Sequence, residues 1–204
     1  MADFNAKSKA AYNAKADDYE NSREGRFTRE FQRLLVECVA LQGNQSALDV
    51  ACGTGSLLAL LSKKTPIKGY GIDLADQMIK KARTNNPSME FQAAGCEAIP
   101  FPDSSMDIIT VCAAYHHFPD TNAFAKEARR ALRPNGYLHI AEIYLPTVLR
   151  VIANPFVPLM PDGDVRFYSP NQIARNFEPF GFIRADVKIF GHVQIVSMRK
   201  STGE

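Results

Sequence analysis

The sequence predicts an α/β fold: a three-layer sandwich around a mostly parallel seven-stranded sheet that ends in an antiparallel hairpin. Three observations carry this expectation. The apolar run Ala47 to Val50 ends in a turn with Gly53 and Gly55, and Leu57, Leu58, Leu60 and Leu61 follow at helical spacing. Apolar strand patterns then alternate with helical ones as far as Ile143, and such alternation gives parallel strands with right-handed crossovers. Finally, Phe182 to Phe190 and Val193 to Arg199 are separated only by Gly191 and His192, too short a link for anything but a hairpin.

The elements follow in order. Residues 1–24 are polar and alanine-rich, with Phe4, Tyr12 and Tyr19, and read as a loose helix and turn across the front of the domain. Arg26 to Ala40 is an amphipathic helix through Phe27, Phe31, Leu34, Leu35 and Cys38, stopped by Gly43 and Asn44. The first strand, glycine turn and helix come next. Gly69 to Leu74 is a second strand, Asp76 to Arg83 a helix, and Met89 to Ala93 a third strand. Asp107 to Cys112, nearly continuous in Ile and Val, reads as a strand buried on both faces. Thr121 to Leu132 is a helix, Arg133 to Gly136 a turn, and Tyr137 to Ile143 the fifth strand. Tyr144 to Tyr168 carries four prolines and neither period, which suggests a lid or insertion. Ser169 and Pro170 open a last helix as N-cap and first helical residue, and Gly181 ends it.

Its 204 residues suit one domain, 1–204, with 1–40 as an N-terminal helical cap and 144–168 as the lid. A net charge of +2 gives no electrostatic reason to expect nucleic acid or an anionic membrane. Cys38, Cys52, Cys96 and Cys112 form no Cys-x-x-Cys pair and read as buried free thiols. With no signal peptide and no 18-residue apolar run, a cytoplasmic protein without stable membrane insertion is expected.

The chemistry concentrates around two acids. Glycines at 53 and 55 let the backbone turn tightly and approach a ligand with no Cβ in the way, and the following helix offers unpaired N–H groups. Asp73 ends the second strand 24 positions after Asp49, where a carboxylate accepts from ribose hydroxyls. Capping of the next helix is the plainer role for Asp73. A dinucleotide dehydrogenase would carry a third glycine at the position occupied by Leu58. An oxidoreductase using NAD therefore fits less well, and a non-catalytic cofactor-binding module stays open.

Asp49-x-x-x-Gly53-x-Gly55 resembles the first motif of the class I, Rossmann-like, S-adenosylmethionine-dependent methyltransferases, with Ala51 where that family more often has glycine. Ile99-Pro100-Phe101-Pro102-Asp103, Tyr115-His116-His117-Phe118-Pro119-Asp120 and Glu127 to Gly136 are similar to its type 11, quinone-biosynthesis-like branch. The resemblance spans roughly Phe31 to Met198. It implies that S-adenosyl-L-methionine is the cofactor, and that the reaction is in-line methyl transfer to a small molecule. Gly53, Thr54, Gly55 and Ala51 would approach its methionine part, with Asp49 near the ammonium. Asp73 would hold the ribose. Leu74 and Met78 would face the adenine, with Cys96 supplying a backbone N–H; where the family has an aspartate this chain has Gly95, so either Glu97 substitutes or the contact is weaker. Ala113 and Ala114 would line the floor near the sulfonium, and Tyr19 would close over the top.

No catalytic residue emerges from spacing. His116, His117, Tyr115 and Tyr19 are the candidates for proton removal, and Glu142 has an acceptor-side and a structural reading. Metal binding by the histidine pair is disfavoured against packing or substrate contact, because adjacent histidines in a strand-end loop point in different directions and no acid-rich constellation surrounds them in sequence. The N-terminal tyrosines and the 144–168 segment, rich in Phe, Leu, Met and Val, are expected to form the acceptor pocket and to suit an apolar or aromatic acceptor. The motifs specify neither the methylated atom nor the oligomeric state, and a homodimer is left open.

Overall fold

The computed structural model describes residues 4–202. Residues 1–3 of the expected cap lie outside that range. Seven strands form one sheet in the order β3-β2-β1-β4-β5-β7-β6. In chain order these are β1 Ser46–Val50, β2 Lys68–Asp73, β3 Glu90–Ala93, β4 Met106–Cys112, β5 Leu132–Ile143, β6 Phe182–Phe190 and β7 Val193–Lys200. The first five are parallel, and β7 pairs antiparallel with both β5 and β6. The reversal of strand order lies between β1 and β4, because the chain leaves β1 in one direction and returns on its other side. A crevice opens at the carboxyl ends there, the place where open α/β sheets bind ligands.

The helices are α1 Phe4–Lys15, α2 Arg23–Cys38, α3 Ser56–Lys64, α4 Asp76–Asn85, α5 Thr121–Ala131, α6 Thr147–Ala153 and α7 Pro170–Phe177. Two apolar layers result. One packs Phe31 and Leu35 of α2, Leu57, Leu58 and Leu61 of α3, and Ile79 of α4 against one face of the sheet. The other packs Phe124 and Ala128 of α5 and Ile173 and Phe177 of α7 against Leu48, Val50, Ile109 and Val111 on the opposite face. Neighbouring residues of β4 therefore enter different layers, as a period of two requires. Its continuous Ile and Val run needs both layers, and Ile108 to Cys112 is buried throughout. No helix among the described residues is long and apolar enough to cross a membrane.

Three elements depart from the periodicity. Helix α2 starts three residues earlier than its apolar pattern, because Ser22 Oγ accepts from Gly25 N at 3.0 Å and caps the helix end. Gly25 is required there, since a Cβ would stand 2.0 Å from the Tyr19 carbonyl oxygen. The segment Arg133–Gly136, expected as a free turn, is a bulge inside β5. Leu132 pairs with Met106, and Tyr137 with Ile108, so the excess residues are accommodated with Asn135 at φ 63°. The segment 144–168 contains α6 and a 3-10 turn, Val157–Leu159. Its helical period is invisible in sequence because Val148, Leu149, Val151 and Ile152 face solvent while Arg150 is the buried residue.

The terminal hairpin turns at Gly191, φ 59°, and its outer strand β6 is largely exposed. Arg184, Asp186 and Lys188 on that edge discourage pairing with another sheet. Helix α7 opens with a full capping box. Ser169 Oγ accepts from Gln172 N, and Gln172 Oε1 accepts from Ser169 N at 2.9 Å. Ser169→Ala should therefore cost ~1 kcal/mol of stability, read as a lower urea midpoint at unchanged slope.

Candidate active site

A cleft with an empty space of about 860 Å³, solvent at its mouth included, lies over the carboxyl ends of β1, β2 and β4. Helix α1 and the segment to Thr28 form its roof, through Asn5, Ser8, Tyr12, Tyr19 and Thr28. The glycine turn forms its floor. Ala51, at φ 59°, and Gly53, at φ 52°, bend the chain sharply off β1. Ala51 is thus an L-residue in the left-handed region, a conformation glycine adopts without strain. Nothing lies within 4 Å of a Cβ built on Gly53, so a side chain there would occupy the cleft.

Gly55 has a different duty. It stands at φ 79° as the N-cap of α3, and a Cβ would meet Asn86 Nδ2 at 2.7 Å and the Phe91 ring at 3.0 Å. It is absent from the cleft lining, so packing and conformation, rather than ligand approach, demand this glycine. Glu97 is likewise absent from the lining, and its Oε1 accepts from Asn5 Nδ2 at 3.3 Å. Tyr19, Asp49, Ala51, Gly53, Thr54, Asp73, Leu74, Met78, Cys96 and Ala113 all line the cleft.

The Asp73 carboxylate ties two elements together. Its Oδ2 accepts from Gly53 N at 2.9 Å, and its Oδ1 from Ala75 N at 2.8 Å. Both readings of this residue are therefore present in one side chain, which fixes the glycine turn, opens α4 and still faces the cleft. Burial raises its pKa, and the two amide donors oppose that rise. Thr54 donates from Oγ1 to Glu20 Oε1, which pins the 3-10 turn Tyr19–Asn21 over the glycine turn. Met78 is buried against Ala16 and Ala75, with Tyr12 and Tyr19 packed alongside.

Asp49 is buried at 2% exposure, and its Oδ1 accepts from Thr110 Oγ1 at 2.7 Å. Burial pushes its carboxyl up to about 7, with the Thr110 bond opposing and Asp73 adding to the shift. A buried acid at the threshold of ionisation is a ready partner for a cationic group entering the cleft.

The proton-transfer candidates separate cleanly. Tyr115 is buried in the α5–α7 layer, accepts from Asn176 Nδ2 at 3.0 Å and does not reach the cleft. Burial pushes the Tyr19 phenol up to about 12, and its OH is hydrogen-bonded to Thr28 Oγ1 at 3.2 Å. His116 stands behind the lining, with Nδ1 at 2.8 Å from Glu142 Oε1 and Nε2 at 3.2 Å from Asp164 Oδ1. The two acids outweigh burial and push this imidazole up to about 10. Of the two histidines, His117 lines the cleft. Its Nε2 is 3.1 Å from Tyr12 Oη. Burial and the charged His116 push it down to about 4, against Asp164, Glu142 and the Gly163 backbone.

Glu142 takes the structural alternative. It is fully buried and accepts from the backbone N–H of His116 at 3.1 Å and of Ile143 at 2.6 Å. Asp164, which sequence reasoning passed over, reaches the histidines because Val165 N donates to the His116 carbonyl at 2.7 Å. Two carboxylates from segments distant in sequence, Glu142 and Asp164, thus converge on the histidine pair. The 144–168 segment contributes no residue to the cleft lining itself and approaches it through Asp164 beside His117.

A doubly wound sheet with a glycine turn, a strand-end acid and a roofed crevice is a Rossmann-like architecture. Comparison with known proteins narrows this class. The methyltransferase domain family matches residues 48–140. A demethylmenaquinone methyltransferase from Thermotoga maritima is 28% identical over 175 residues, 75% of this chain and 76% of the relative. A ubiquinone/menaquinone biosynthesis C-methyltransferase from Geotalea daltonii is 28% identical over 181 residues, 76% of this chain and 77% of the relative. Among solved structures, a chain of the complex between the Haloferax volcanii Trm112 methyltransferase activator and a methyltransferase superposes with TM-score 0.84 at 15% identity, covering 97% of this chain and 99% of that one. An S-adenosylmethionine-dependent methyltransferase from Aquifex aeolicus gives TM-score 0.67 at 22% identity, with 83% and 89% covered. Residues 48–140 thus carry a methyltransferase domain, and the fold around it is that of the class I S-adenosylmethionine-dependent methyltransferases.

The Asp49 carboxyl provides a test of how the cleft is balanced. Its folded pKa lies above the unfolded value of 3.8. The folded state then holds this proton longer, so the group's contribution to stability falls as pH rises from about 4 to about 7 and is level above. Asp49→Asn keeps an acceptor for Thr110 and removes that loss. Its melting temperature relative to the parent should climb across this window, in scanning calorimetry at fixed ionic strength.

Proposed function

We propose that the cleft binds S-adenosyl-L-methionine and transfers its methyl group to a small, largely apolar acceptor of the quinol type. The observation that carries the cofactor half is Gly53. Its positive φ and the open space at its Cβ position make a backbone cradle that only glycine leaves free. In this reading Gly53, Thr54 and Ala51 flank the methionine part, and Asp49 faces the ammonium. Asp73 has lone pairs left after its two amide bonds and takes the ribose hydroxyls. Leu74 and Met78 contact the adenine from one side, and Cys96 offers its backbone N–H. Ala113, at φ 51°, and Ala114 keep the floor low near the sulfonium. Tyr19 closes the roof.

When bound, the cofactor supplies an electrophilic methyl group, so the protein has no bond to activate on the donor. The chain's own task is alignment and exclusion of water. Tyr12 and Tyr19, with centroids 6.1 Å apart in edge-to-face contact, make the roof aromatic. Among the described residues His117 has the only imidazole lining the cleft, and burial and the charged His116 lower its pKa to about 4, so it presents a neutral ring beside the acceptor. The acceptor class rests on the two relatives named for quinone biosynthesis and on the apolar lining beside His117, formed by Ala113, Ala114 and Phe118.

Two measurements test this reading. Calorimetry should show S-adenosylhomocysteine binding and no NAD binding, and Asp73→Ala should weaken it by ~1.5–3 kcal/mol through lost charge-assisted bonds. Unchanged affinity in that variant would remove Asp73 from the ribose. Affinity for S-adenosylmethionine should also rise with pH up to about 7 and then level, because the ammonium prefers the ionised Asp49. Asp49→Asn should flatten that profile. Radiolabel transfer to demethylated quinols then tests the acceptor, and transfer confined to polar metabolites would overturn the apolar assignment.

A further inference from the structure

We infer that His116, His117 and Asp164 form a binding site for one divalent first-row transition-metal ion at the acceptor side of the cleft. Three features of geometry carry this. His116 Nε2 and Asp164 Oδ1 are 3.2 Å apart, and His117 Nδ1 and the same oxygen 3.7 Å. One ligand atom from each of the three residues lies within 4.8 Å of the others. The edges of a tetrahedron of ligands ~2.0–2.2 Å from zinc are roughly 3.3–3.6 Å, so small rotations close the triad on an ion.

The second feature is an orphaned atom. His117 Nδ1 is buried and makes no hydrogen bond, while Nε2 of the same ring is engaged by Tyr12 Oη. Buried polar atoms are almost always satisfied, and an unsatisfied one asks for an explanation such as an ion. In the tautomer whose Nε2–H donates to Tyr12 Oη, Nδ1 carries the lone pair that a ligand imidazole presents, 3.7 Å from Asp164 Oδ1.

The third feature is the set of groups behind the ligands. His116 Nδ1 is held by the Glu142 carboxylate, with both oxygens within 2.9 Å. Glu142 is itself fixed by the amides of His116 and Ile143. A carboxylate on the far nitrogen of a ligand imidazole, itself fully hydrogen-bonded, orients the ring and raises its basicity. Tyr12 plays the equivalent part for His117. Two imidazoles and one carboxylate form a donor set suited to Zn²⁺, Fe²⁺, Co²⁺ or Mn²⁺, with the remaining positions left to water or substrate. Binding exchanges the proton on His116 Nε2 for the ion, and that proton leaves to solvent.

The competing account is a plain buried ion pair, in which Glu142 and Asp164 hold a protonated His116 with no ion between. That account explains His116 and leaves His117 Nδ1, 3.7 Å from Asp164 Oδ1, without a hydrogen bond of normal length. A metal here would receive an oxygen of the acceptor and favour its deprotonated form, so a phenolic, enolic or catechol-like oxygen becomes the expected chemical handle. This role depends on the reading of the cleft given above, whereas metal binding itself does not.

Co²⁺ is the probe, added to chelator-treated full-length protein at neutral pH with no cofactor present. Calorimetry should give one equivalent bound, with an enthalpy that changes between buffers of different ionisation enthalpy because a proton is released. Visible absorption should develop as the ion enters a low-symmetry nitrogen–oxygen site. His117→Ala and Asp164→Asn should each weaken binding at least tenfold, and Glu142→Gln by 10- to 100-fold. Circular dichroism and S-adenosylhomocysteine affinity serve as checks that each variant is folded. If Glu142→Gln disrupts the fold, the His117 and Asp164 variants still decide. Absence of a stoichiometric Co²⁺ site in the parent, or equal binding in both of those variants, overturns the proposal. Loss of S-adenosylhomocysteine binding by the parent protein would instead count against the cofactor reading and leaves the metal titration to be judged by itself.

Discussion

The floor of the cleft depends on one carboxylate shared between two strands. A tight turn such as Ala51 to Gly55 leaves amide groups pointing away from any ladder, and a buried amide without a partner costs about 1–3 kcal/mol. Asp73 answers this from β2. Its register opposite Ala93 on β3 puts the side chain at the strand end, where one oxygen takes Gly53 N and the other Ala75 N. The consequence is mechanical as well as electrostatic. The turn after β1 and the start of α4 cannot move independently, so the two sides of the crevice keep their separation. Burial makes this carboxylate costly to ionise, and the two amide donors offset the cost.

The sheet was legible in the sequence because its central strands β1 and β4 are buried on both faces and the apolar runs are bounded by turn residues. Val50 to Gly55, Ile72 to Asp73 and Ile108 to Cys112 each announce a strand end at the same edge, so the position of the crevice follows. Elements that do not sort inside from outside were less legible. Helix α6 exposes its apolar residues and buries Arg150, which bonds the Leu145 carbonyl at 2.9 Å, so its periodicity carries no information about the core. The bulge at Arg133–Gly136 escaped for another reason. Its composition is that of a turn, and only pairing of Leu132 with Met106 makes it part of a strand.

The candidate site divides along similar lines. Residues whose part in the site follows from local backbone, such as Gly53 and Asp73, were within reach of spacing arguments. Gly55 shows the limit of such arguments, since the constraint on it is the Phe91 ring and Asn86 from other elements. The histidine pair shows a stronger limit. Glu142 comes from β5 and Asp164 from the strap after α6, and no local pattern connects either to His116. The connection is made by the sheet, which sets the end of β5 beside the end of β4, and by the Val165 amide on the His116 carbonyl. Charge density at that point is consequently a tertiary property.

These two regions meet under α1, and the energetics of that helix govern access to both. It carries Asn5, Ser8 and Tyr12 of the cleft lining, yet contains no buried residue. Its attachments are mostly polar and partly exposed: Lys9 to Asp76 at 2.8 Å, Lys15 to Glu24 and Asp162 at 2.9 and 2.8 Å, and Asn13 to Gln77 N at 2.9 Å. Ion pairs of this exposure are worth roughly 0–1 kcal/mol each and weaken with salt. The sheet and its two apolar layers cannot open without exposing residues such as Leu57, Ile79 and Phe124, each worth about 1.5–3 kcal/mol when buried. Among the walls of the cleft, α1 is therefore the one that costs least to displace. Tyr12 couples such a displacement to the site, because moving it uncovers the ring of His117 and releases its Nε2 at the same time. The roof that excludes water is in this way also the contact that orients the imidazole beneath it.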